Sequence, residues 1–262
     1  SDARRRKCCC QKGRRGFSLF HQSAPAYAET VAEPVEQSPA IYVSEKNANS
    51  VVGILTNTQT WDNVNGVTDQ TVAQGSGVVV AEGGYVLTNN HVIADGTAYQ
   101  VLMPSGDKVD ATLVGSDSTT DLAVLKVEDL PLEPVVLGDS DALKVGDWAI
   151  CIGNPLDFTG TTTVGVISAL NREITSKSTD AYGRKTNNVN RMIQTDAAIN
   201  AGNSGGGMFN VAGELVGVPS MKYTGSYYSA ATVEGIGMAI PINVAKPLIE
   251  EVLSGKTVAN GA

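Results

Sequence analysis

Histidine and cysteine are scarce in this sequence, and both shortages narrow the chemistry that it can support. The 262 residues contain only two histidines, His21 in a basic N-terminal segment and His91 in the body of the chain. A serine hydrolase built on this chain must therefore use His91 as the base that takes the proton of its serine. The four cysteines are a run, Cys8 to Cys10, and a single Cys151, which is the spacing of neither a disulfide framework nor a zinc site. We expect Cys151 to be a small buried apolar residue, and we predict no metal and no cofactor.

Aromatic residues and long apolar runs are also lacking. Aromatic residues make up 5% of the chain. No apolar run approaches the roughly 18 to 20 residues of a membrane-spanning helix, so no such helix is predicted. Hydrophobic residues nevertheless make up 42% of the chain. This content is enough to bury a core in one or two domains of ordinary size.

The net charge of −8 is unevenly distributed. Residues 1–20 contain seven Lys or Arg and one acidic residue, which leaves a charge of −14 for the rest of the chain. An acidic body argues against nucleic acid as a partner, because phosphate binding needs a cationic face. The basic leader is able to touch anionic surfaces, so membrane association through an N-terminal anchor stays open.

Two regions of different texture divide the chain. Residues 1–40 lack apolar periodicity and are expected to be a disordered basic leader or a targeting segment. From residue 51 onward, short runs rich in Val, Ile and Thr alternate with Gly, Asn and Asp turns, as is typical of an antiparallel β barrel or sandwich. The strand pattern breaks near residues 134–147, where two barrels would divide. We therefore predict an N-terminal barrel over residues 41–140, a C-terminal barrel with a terminal helix over residues 141–255, and a tail over residues 256–262.

Helix signals are nearly confined to the C-terminal end. Asn243 is a suitable N-cap, Val244, Leu248 and Val252 recur every four residues, and Gly255 would end the helix. A hairpin turned by Gly83 and Gly84 is predicted to place His91 just after its second strand. The polar segments at residues 173–190 and 220–234 are predicted to be surface loops.

The sequence GNSGG at residues 202–206 places Ser204 between glycines. A similar pattern marks the nucleophile of α/β-hydrolases, but there the histidine follows the serine, and no histidine follows Ser204. His91, Asp121 and Ser204 occur in the chymotrypsin order of histidine, aspartate and serine. The subtilisin order would need an aspartate before His91, and the strand-and-turn pattern there does not indicate a parallel α/β sheet.

These residues supply the parts that acyl transfer needs. His91 would accept the proton of the Ser204 hydroxyl, and Asp121 would orient the imidazole and stabilise its charged form. The oxyanion hole is predicted at Gly202, Asn203 and Ser204, because glycines let backbone N–H groups turn into one pocket.

Six ordered segments together resemble the HtrA (DegP-type) family of serine proteases, over roughly residues 45–253. They are TNNHVI at 88–93, TDLAVLK at 120–126, IGNP at 152–155, QTDAAIN at 194–200, GNSGG at 202–206 and GIGMAIP at 235–241. The resemblance implies a trypsin-like fold of two β-barrels with the active site in the cleft between them. It also implies a homotrimer that acts on misfolded or unfolded proteins in the bacterial cell envelope, either periplasmic or on the outer face of a membrane. Members usually carry PDZ domains after the protease domain, and none is predicted within residues 1–262.

Substrate choice follows from the positions that the family uses for its specificity pocket. Ala198 lies six residues before Ser204, where an arginine-selecting enzyme would have an aspartate, and Ile199 and Ile236 occupy lining positions. The pocket is therefore expected to accept small or medium aliphatic residues.

Three residues depart from the family pattern. The family usually has proline at the position of Ala201, and proline or alanine at the position of Gly207. Both departures are expected to loosen the loop around Ser204. Pro219 is expected to interrupt a strand.

Two alternatives to an active protease stay open. One is a latent or chaperone-like protein that binds unfolded polypeptide and needs an activator to order the loop around Ser204. The other is a structural or adhesive β protein, which would give the three triad residues no reason to converge.

Overall fold

The computed structural model describes residues 38–62, 66–154, 160–179, 185–220, 235–256 and 258–260. The leader predicted over residues 1–40 lies outside this set except for its last three positions. No helix within the described ranges is both long and apolar enough to cross a membrane.

The first half of the chain folds into a closed barrel of six strands. Its elements are α1 (Pro39–Asn47), β1 (Val51–Asp62), β2 (Gly66–Ala81), β3 (Tyr85–Asn89), α2 (Asn90–Ile93), β4 (Ala98–Leu102), β5 (Lys108–Asp117) and β6 (Leu122–Lys126). The strands pair antiparallel in the order β1, β2, β3, β6, β5, β4, and β4 pairs again with β1. Closure leaves these six strands without a free edge.

The second half repeats this plan. Its elements are β7 (Val136–Leu137), β8 (Trp148–Gly153), β9 (Thr161–Thr179), β10 (Lys185–Thr195), β11 (Gly207–Phe209), β12 (Glu214–Pro219), β13 (Gly237–Pro241), α3 (Ile242–Leu253) and β14 (Val258–Asn260). Strands β8, β9, β10, β13, β12 and β11 form the barrel, which closes where β11 pairs with β8. Two short strands add to the barrels in parallel, β7 along β12 and β14 along β5. The predicted all-β fold of two barrels with a C-terminal helix is confirmed.

Several barrel strands bury both of their faces. On β6, Ala123 and Leu125 belong to the core inside the first barrel. Leu122 and Val124, on the opposite face of the same strand, belong to a larger cluster that joins the two barrels and α3, here called the shared cluster. The two-residue period of a strand therefore serves two cores at once.

Cys151 shows the same alternation in the second barrel. On β8, Ala149 and Cys151 lie in the inner core, while Ile150 and Ile152 lie in the shared cluster. Cys151 is fully buried, and this burial raises the pKa of its thiol to about 12. The prediction that it is a buried apolar residue is confirmed.

The hairpin between β2 and β3 forms at the predicted glycines. Gly83 and Gly84 both have positive φ, at 82° and 84°. A Cβ at Gly84 would lie 2.1 Å from the carbonyl oxygen of Val127, so this turn requires glycine. β3 leads directly into α2, which carries His91.

The helices differ from the prediction in two ways. α1 was not predicted, although Ser38 caps it by accepting a hydrogen bond from the N–H of Ala40 and Pro39 occupies its first position. α3 begins at Ile242 after an extended Pro241, so Asn243 lies inside the helix and is not its cap. The Asn243 carboxamide instead donates to Asp139 Oδ1 at 2.7 Å, in the segment between the barrels.

The apolar face of α3 is also broader than the four-residue period indicated. Val244 is 40% exposed, whereas Leu248 and Val252 are buried. The remaining buried residues of the helix are Ile242, Ala245 and Ile249. The helix ends two residues before Gly255, which has the positive φ expected of a residue after a helix.

Much of the loop predicted at residues 173–190 is strand. β9 continues to Thr179 and β10 begins at Lys185, and the two pair in register from Met192 and Arg172 outward. Backbone hydrogen bonds between paired strands hold such a hairpin without requiring apolar side chains, so a polar sequence can form it. Of the other predicted loop, residues 221–234 lie outside the described set.

Candidate active site

Asp121 is held in a backbone conformation that is unusual for its residue type. It has a φ of 63°, in the left-handed region, immediately before β6. Its carbonyl oxygen accepts hydrogen bonds from the N–H of Asn90 at 3.0 Å and from Asn89 Nδ2 at 3.1 Å. These bonds from the end of β3 and the start of α2 stabilise the strained residue and join it to the segment that carries His91.

The Asp121 carboxylate is fully buried and well supplied with donors. Oδ1 accepts the N–H of His91 at 3.0 Å, and Oδ2 accepts His91 Nδ1 at 2.8 Å and the Ser220 hydroxyl at 3.0 Å. These bonds replace the hydration that a buried charge loses.

The same contact defines the state of the imidazole. An ionised carboxylate only accepts hydrogen bonds, so His91 Nδ1 carries the hydrogen, which leaves Nε2 as the acceptor of the neutral ring. The His91 side chain is 30% exposed. The His91 imidazole is therefore a base whose Nδ1 side is fixed by Asp121 and whose ring is accessible to solvent.

Ser220 was missed by the sequence reasoning. It follows β12, is fully buried, and its N–H donates to the carbonyl of Met238 at 2.9 Å. In the sequence it is one polar residue at the start of a segment predicted to be a loop. Only the tertiary contact with Asp121 distinguishes it from its polar neighbours.

Ser204 lies at the end of a tight turn. The residues before it form the 3₁₀ turn Ala201–Asn203, in which the N–H of Asn203 donates to the carbonyl of Asn200 at 2.9 Å. Ser204 is only 1% exposed. Gly205 follows with a φ of 82°, and a Cβ there would lie 2.2 Å from the carbonyl oxygen of Ser76. The glycine is therefore required both by conformation and by close packing.

The segments that carry Ser204 and His91 meet over β2. A Cβ at Gly75 would lie 2.8 Å from the methyl groups of Val92 and 3.1 Å from the carbonyl oxygen of Ser204. That carbonyl also accepts the N–H of Ser76 at 2.8 Å. Three residues far apart in sequence, His91, Asp121 and Ser204, are thus brought to one region.

The predicted oxyanion donors are not equivalent. Because the Asn203 N–H is bonded within the turn, it is already occupied. Its side chain is buried and donates from Nδ2 to the carbonyl of Ala198 at 3.1 Å. Asn203 thereby fixes the turn to the segment that contains Ala198 and Ile199, two of the three predicted pocket residues.

Those pocket residues lie in different packing environments. Ala198 is exposed, and Ile199 is partly buried against the inner core of the second barrel. Ile236 packs against the shared cluster. The side chain of Ile199 packs against Gly237, the residue after Ile236: a Cβ at Gly237 would lie 2.6 Å from Ile199 Cγ1. Gly237, which the sequence reasoning did not single out, leaves the space that Ile199 occupies.

The residues that depart from the resemblance have local explanations. Gly207 pairs with Ile152 in β11, and the Phe209 ring lies 2.4 Å from where its Cβ would be, so Gly207 belongs to a packed strand that allows no side chain there. Pro219 is the last residue of β12 and does not interrupt it. Its carbonyl accepts the N–H of Gly205 at 3.0 Å. The side chain of Ala201 lies outside the described set.

Among the described residues, no group of three or more His, Cys, Asp or Glu side chains is arranged to hold a metal ion.

Comparison with known proteins gives a consistent result. Residues 75–218 match the family of trypsin-like peptidase domains. The chain is 44% identical over 190 residues, 72% of its length, to a probable periplasmic serine endoprotease, DegP-like, of Rhizobium meliloti (strain 1021). Proteins of the same description from Brucella suis and Chlamydia trachomatis are 41% identical over 74% of the chain and 42% identical over 72% of it. Each match covers 35% of the relative's own length.

Removing the Ser220 hydroxyl tests its support of the buried carboxylate. Ser220→Ala is expected to lower the free energy of unfolding at pH 7 by about 1 to 3 kcal/mol, because a buried charge loses a donor. Urea denaturation followed by tryptophan fluorescence measures this change. Ser254→Ala is the matched control, because that exposed hydroxyl donates only to the carbonyl of Glu251, and it should shift stability by no more than about 0.5 kcal/mol. Equal stability of the two variants would contradict the assigned role.

Proposed function

The chain belongs to the family of trypsin-like peptidase domains, and on that premise we propose that it is a serine endopeptidase with His91, Asp121 and Ser204 as its catalytic triad. The observation that carries the proposal is the buried Asp121 carboxylate, which binds His91 Nδ1 at 2.8 Å and directs Nε2 away from itself. A structural aspartate on a surface strand would have no need of this arrangement.

The proposed reaction begins with attack of Ser204 Oγ on the carbonyl carbon of a peptide bond. His91 Nε2 takes the hydroxyl proton as the new C–O bond forms, and the Asp121 carboxylate stabilises the resulting imidazolium. Collapse of the tetrahedral intermediate breaks the C–N bond, and His91 returns the proton to the departing amine. Water, deprotonated by His91, then hydrolyses the acyl-enzyme and restores Ser204.

The developing oxyanion needs donors, and we assign the N–H groups of Gly202 and Ser204 to this role. Asn203 is better suited to holding the turn, since its N–H is bonded to Asn200 and its side chain to Ala198. Loss of one such donor in serine proteases slows the reaction by about 100- to 1,000-fold, so the conformation of this turn governs activity.

Unfolded or misfolded polypeptides are the proposed substrates, cleaved after small or medium aliphatic residues. Ala198, Ile199 and Ile236 are the proposed pocket residues, and none carries a charge that would bind a basic side chain. The proposed location is outside the cytoplasm, in the bacterial cell envelope, in line with the periplasmic proteases that the chain resembles. The chain spans about a third of the length of those relatives, since each match covers 35% of the relative.

A homotrimer is the proposed assembly. Large apolar side chains that lie exposed on the described surface, among them Tyr42, Val145 and Trp148, are available for contacts between subunits.

One observation favours a second candidate, a latent or polypeptide-binding protein. The segment Ala201–Asn203 is wound into a 3₁₀ turn closed on Asn200. An activator that unwinds this turn would change the directions of its N–H groups and thus the oxyanion site.

Replacing the proposed nucleophile separates the two candidates. Ser204→Ala is expected to lower the rate of casein degradation by at least about 1,000-fold, because the covalent step is lost. The matched control Ser105→Ala removes an exposed hydroxyl bonded to Asp107 and should keep wild-type activity. A fluorophosphonate should label the wild type and not Ser204→Ala. A wild type that binds unfolded protein but neither cuts nor labels would support the latent candidate.

Substrate preference is tested with peptides that differ only in the residue before the scissile bond. Valine is expected to give a kcat/KM about 100-fold above arginine, because an apolar pocket leaves the guanidinium without a partner. Faster cleavage after arginine would refute the pocket assignment and leave the triad proposal intact.

Sedimentation velocity tests the proposed assembly. At micromolar concentration we expect a species of about three times the 27.2 kDa of one chain. A species with the mass of a single chain would contradict the trimer.

A further inference from the structure

We propose that Ser76 is a positioning residue that sets the direction of the Ser204 N–H by holding the peptide groups on either side of it. This inference rests on the proposed function for its effect on catalysis. It rests on the hydrogen bonds of Ser76 for its effect on the turn.

Ser76 is fully buried in β2 and uses all of its hydrogen-bonding groups. Its N–H donates to the carbonyl of Ser204 at 2.8 Å. Its hydroxyl donates to the carbonyl of Gly202 at 2.5 Å and accepts the N–H of Asn154 at 2.7 Å. Its own carbonyl accepts the Thr88 hydroxyl at 2.7 Å. One residue therefore joins β2, β3, the end of β8 and the turn before Ser204.

The two carbonyls that Ser76 holds flank the peptide that carries the Ser204 N–H. The Gly202 carbonyl belongs to the peptide group between residues 202 and 203, and the Ser204 carbonyl to the one between residues 204 and 205. Because each peptide group is planar, holding these two limits rotation of the group between residues 203 and 204. That middle group contains the Ser204 N–H, one of the two proposed oxyanion donors.

Ser76 has little freedom to move away from these partners. A Cβ at Gly75 would lie 2.8 Å from Val92, and a Cβ at Gly77 would lie 2.6 Å from Val86. The backbone of β2 is therefore packed tightly on both sides of Ser76. Ser76 lies on β2 of the first barrel, whereas Asn154 follows β8 of the second. Because the Ser76 hydroxyl bonds both to Asn154 and to the turn, it couples the conformation of the turn to the relative position of the two barrels.

Loss of this hydroxyl should affect the transition state more than substrate binding. In Ser76→Ala the Gly202 carbonyl loses its donor, and the turn gains conformations in which the Ser204 N–H points elsewhere. We expect kcat to fall by about 10- to 100-fold with little change in KM, because misplacement of a donor acts on the oxyanion and leaves the pocket residues unaltered.

The experiment combines hydrogen exchange with kinetics on the full chain, so that one arm needs no activity. Amide exchange of peptides covering residues 200–207 is compared in wild type, Ser76→Ala and Ser76→Cys, the last keeping the shape of the side chain with a larger atom that is a much weaker donor. Ser140→Ala is the matched control, because that buried hydroxyl accepts the N–H of Asn243 at 3.2 Å on α3 and does not contact the turn.

The expected result is exchange at residues 200–207 at least about 10-fold faster in both Ser76 variants, unchanged exchange in β10 and β13, and the loss of kcat described above. The proposal is overturned if the turn exchanges as slowly in both variants as in Ser140→Ala. It is also overturned if the fall in kcat is no larger than the loss of folded protein at the assay temperature accounts for. A wild type that does not cleave peptides would defeat the proposed function, while the exchange arm would still decide whether Ser76 holds the turn.

Discussion

The buried carboxylate of Asp121 is the interaction on which the arrangement of the site depends. A charge removed from water persists only where hydrogen bonds replace its hydration. Asp121 receives these bonds from His91 on α2 of the first barrel and from Ser220 directly after β12 of the second. The orientation of the imidazole is therefore supported by both halves of the fold, and loss of the Ser220 contact would leave the buried charge short of a donor.

Two-sided burial of the barrel strands keeps those halves together. Each strand that supplies one side of its pleat to an inner core supplies the other side to the shared cluster, as Leu122 and Ala123 do on β6. Apolar packing at close density resists sliding, because a shift of either barrel would open voids along the whole contact. This rigidity lets hydrogen bonds of fixed length, such as those of Ser76 and Asp121, connect residues from different barrels.

The turn before Ser204 combines close packing with limited local structure. Gly205 has a positive φ and approaches the backbone of β2 so closely that no side chain would fit. The 3₁₀ turn itself spans only three residues, and it forms hydrogen bonds with Ser76 on β2, with Ala198 and with Asn200. Its conformation is therefore set by contacts from elsewhere in the chain, which is what the proposed oxyanion site would need if an activator controlled it.

Local patterns in the sequence were sufficient for the strand-rich fold, the glycine hairpin that leads to His91, and the order in which His91, Asp121 and Ser204 occur. They were insufficient for α1 and for the long β9–β10 hairpin, whose polar residues are typical of a loop but whose strands are held by pairing of their backbones. Ser220 and Ser76 carried no signal, since each is one serine among many and gains its importance only from its partners. The amino-acid sequence alone established which reactive groups exist, because its composition limits the chain to one suitable histidine. Which polar residues hold those groups became visible only in the folded chain, because hydrogen bonds between distant segments depend on barrel closure and on the packing of one barrel against the other.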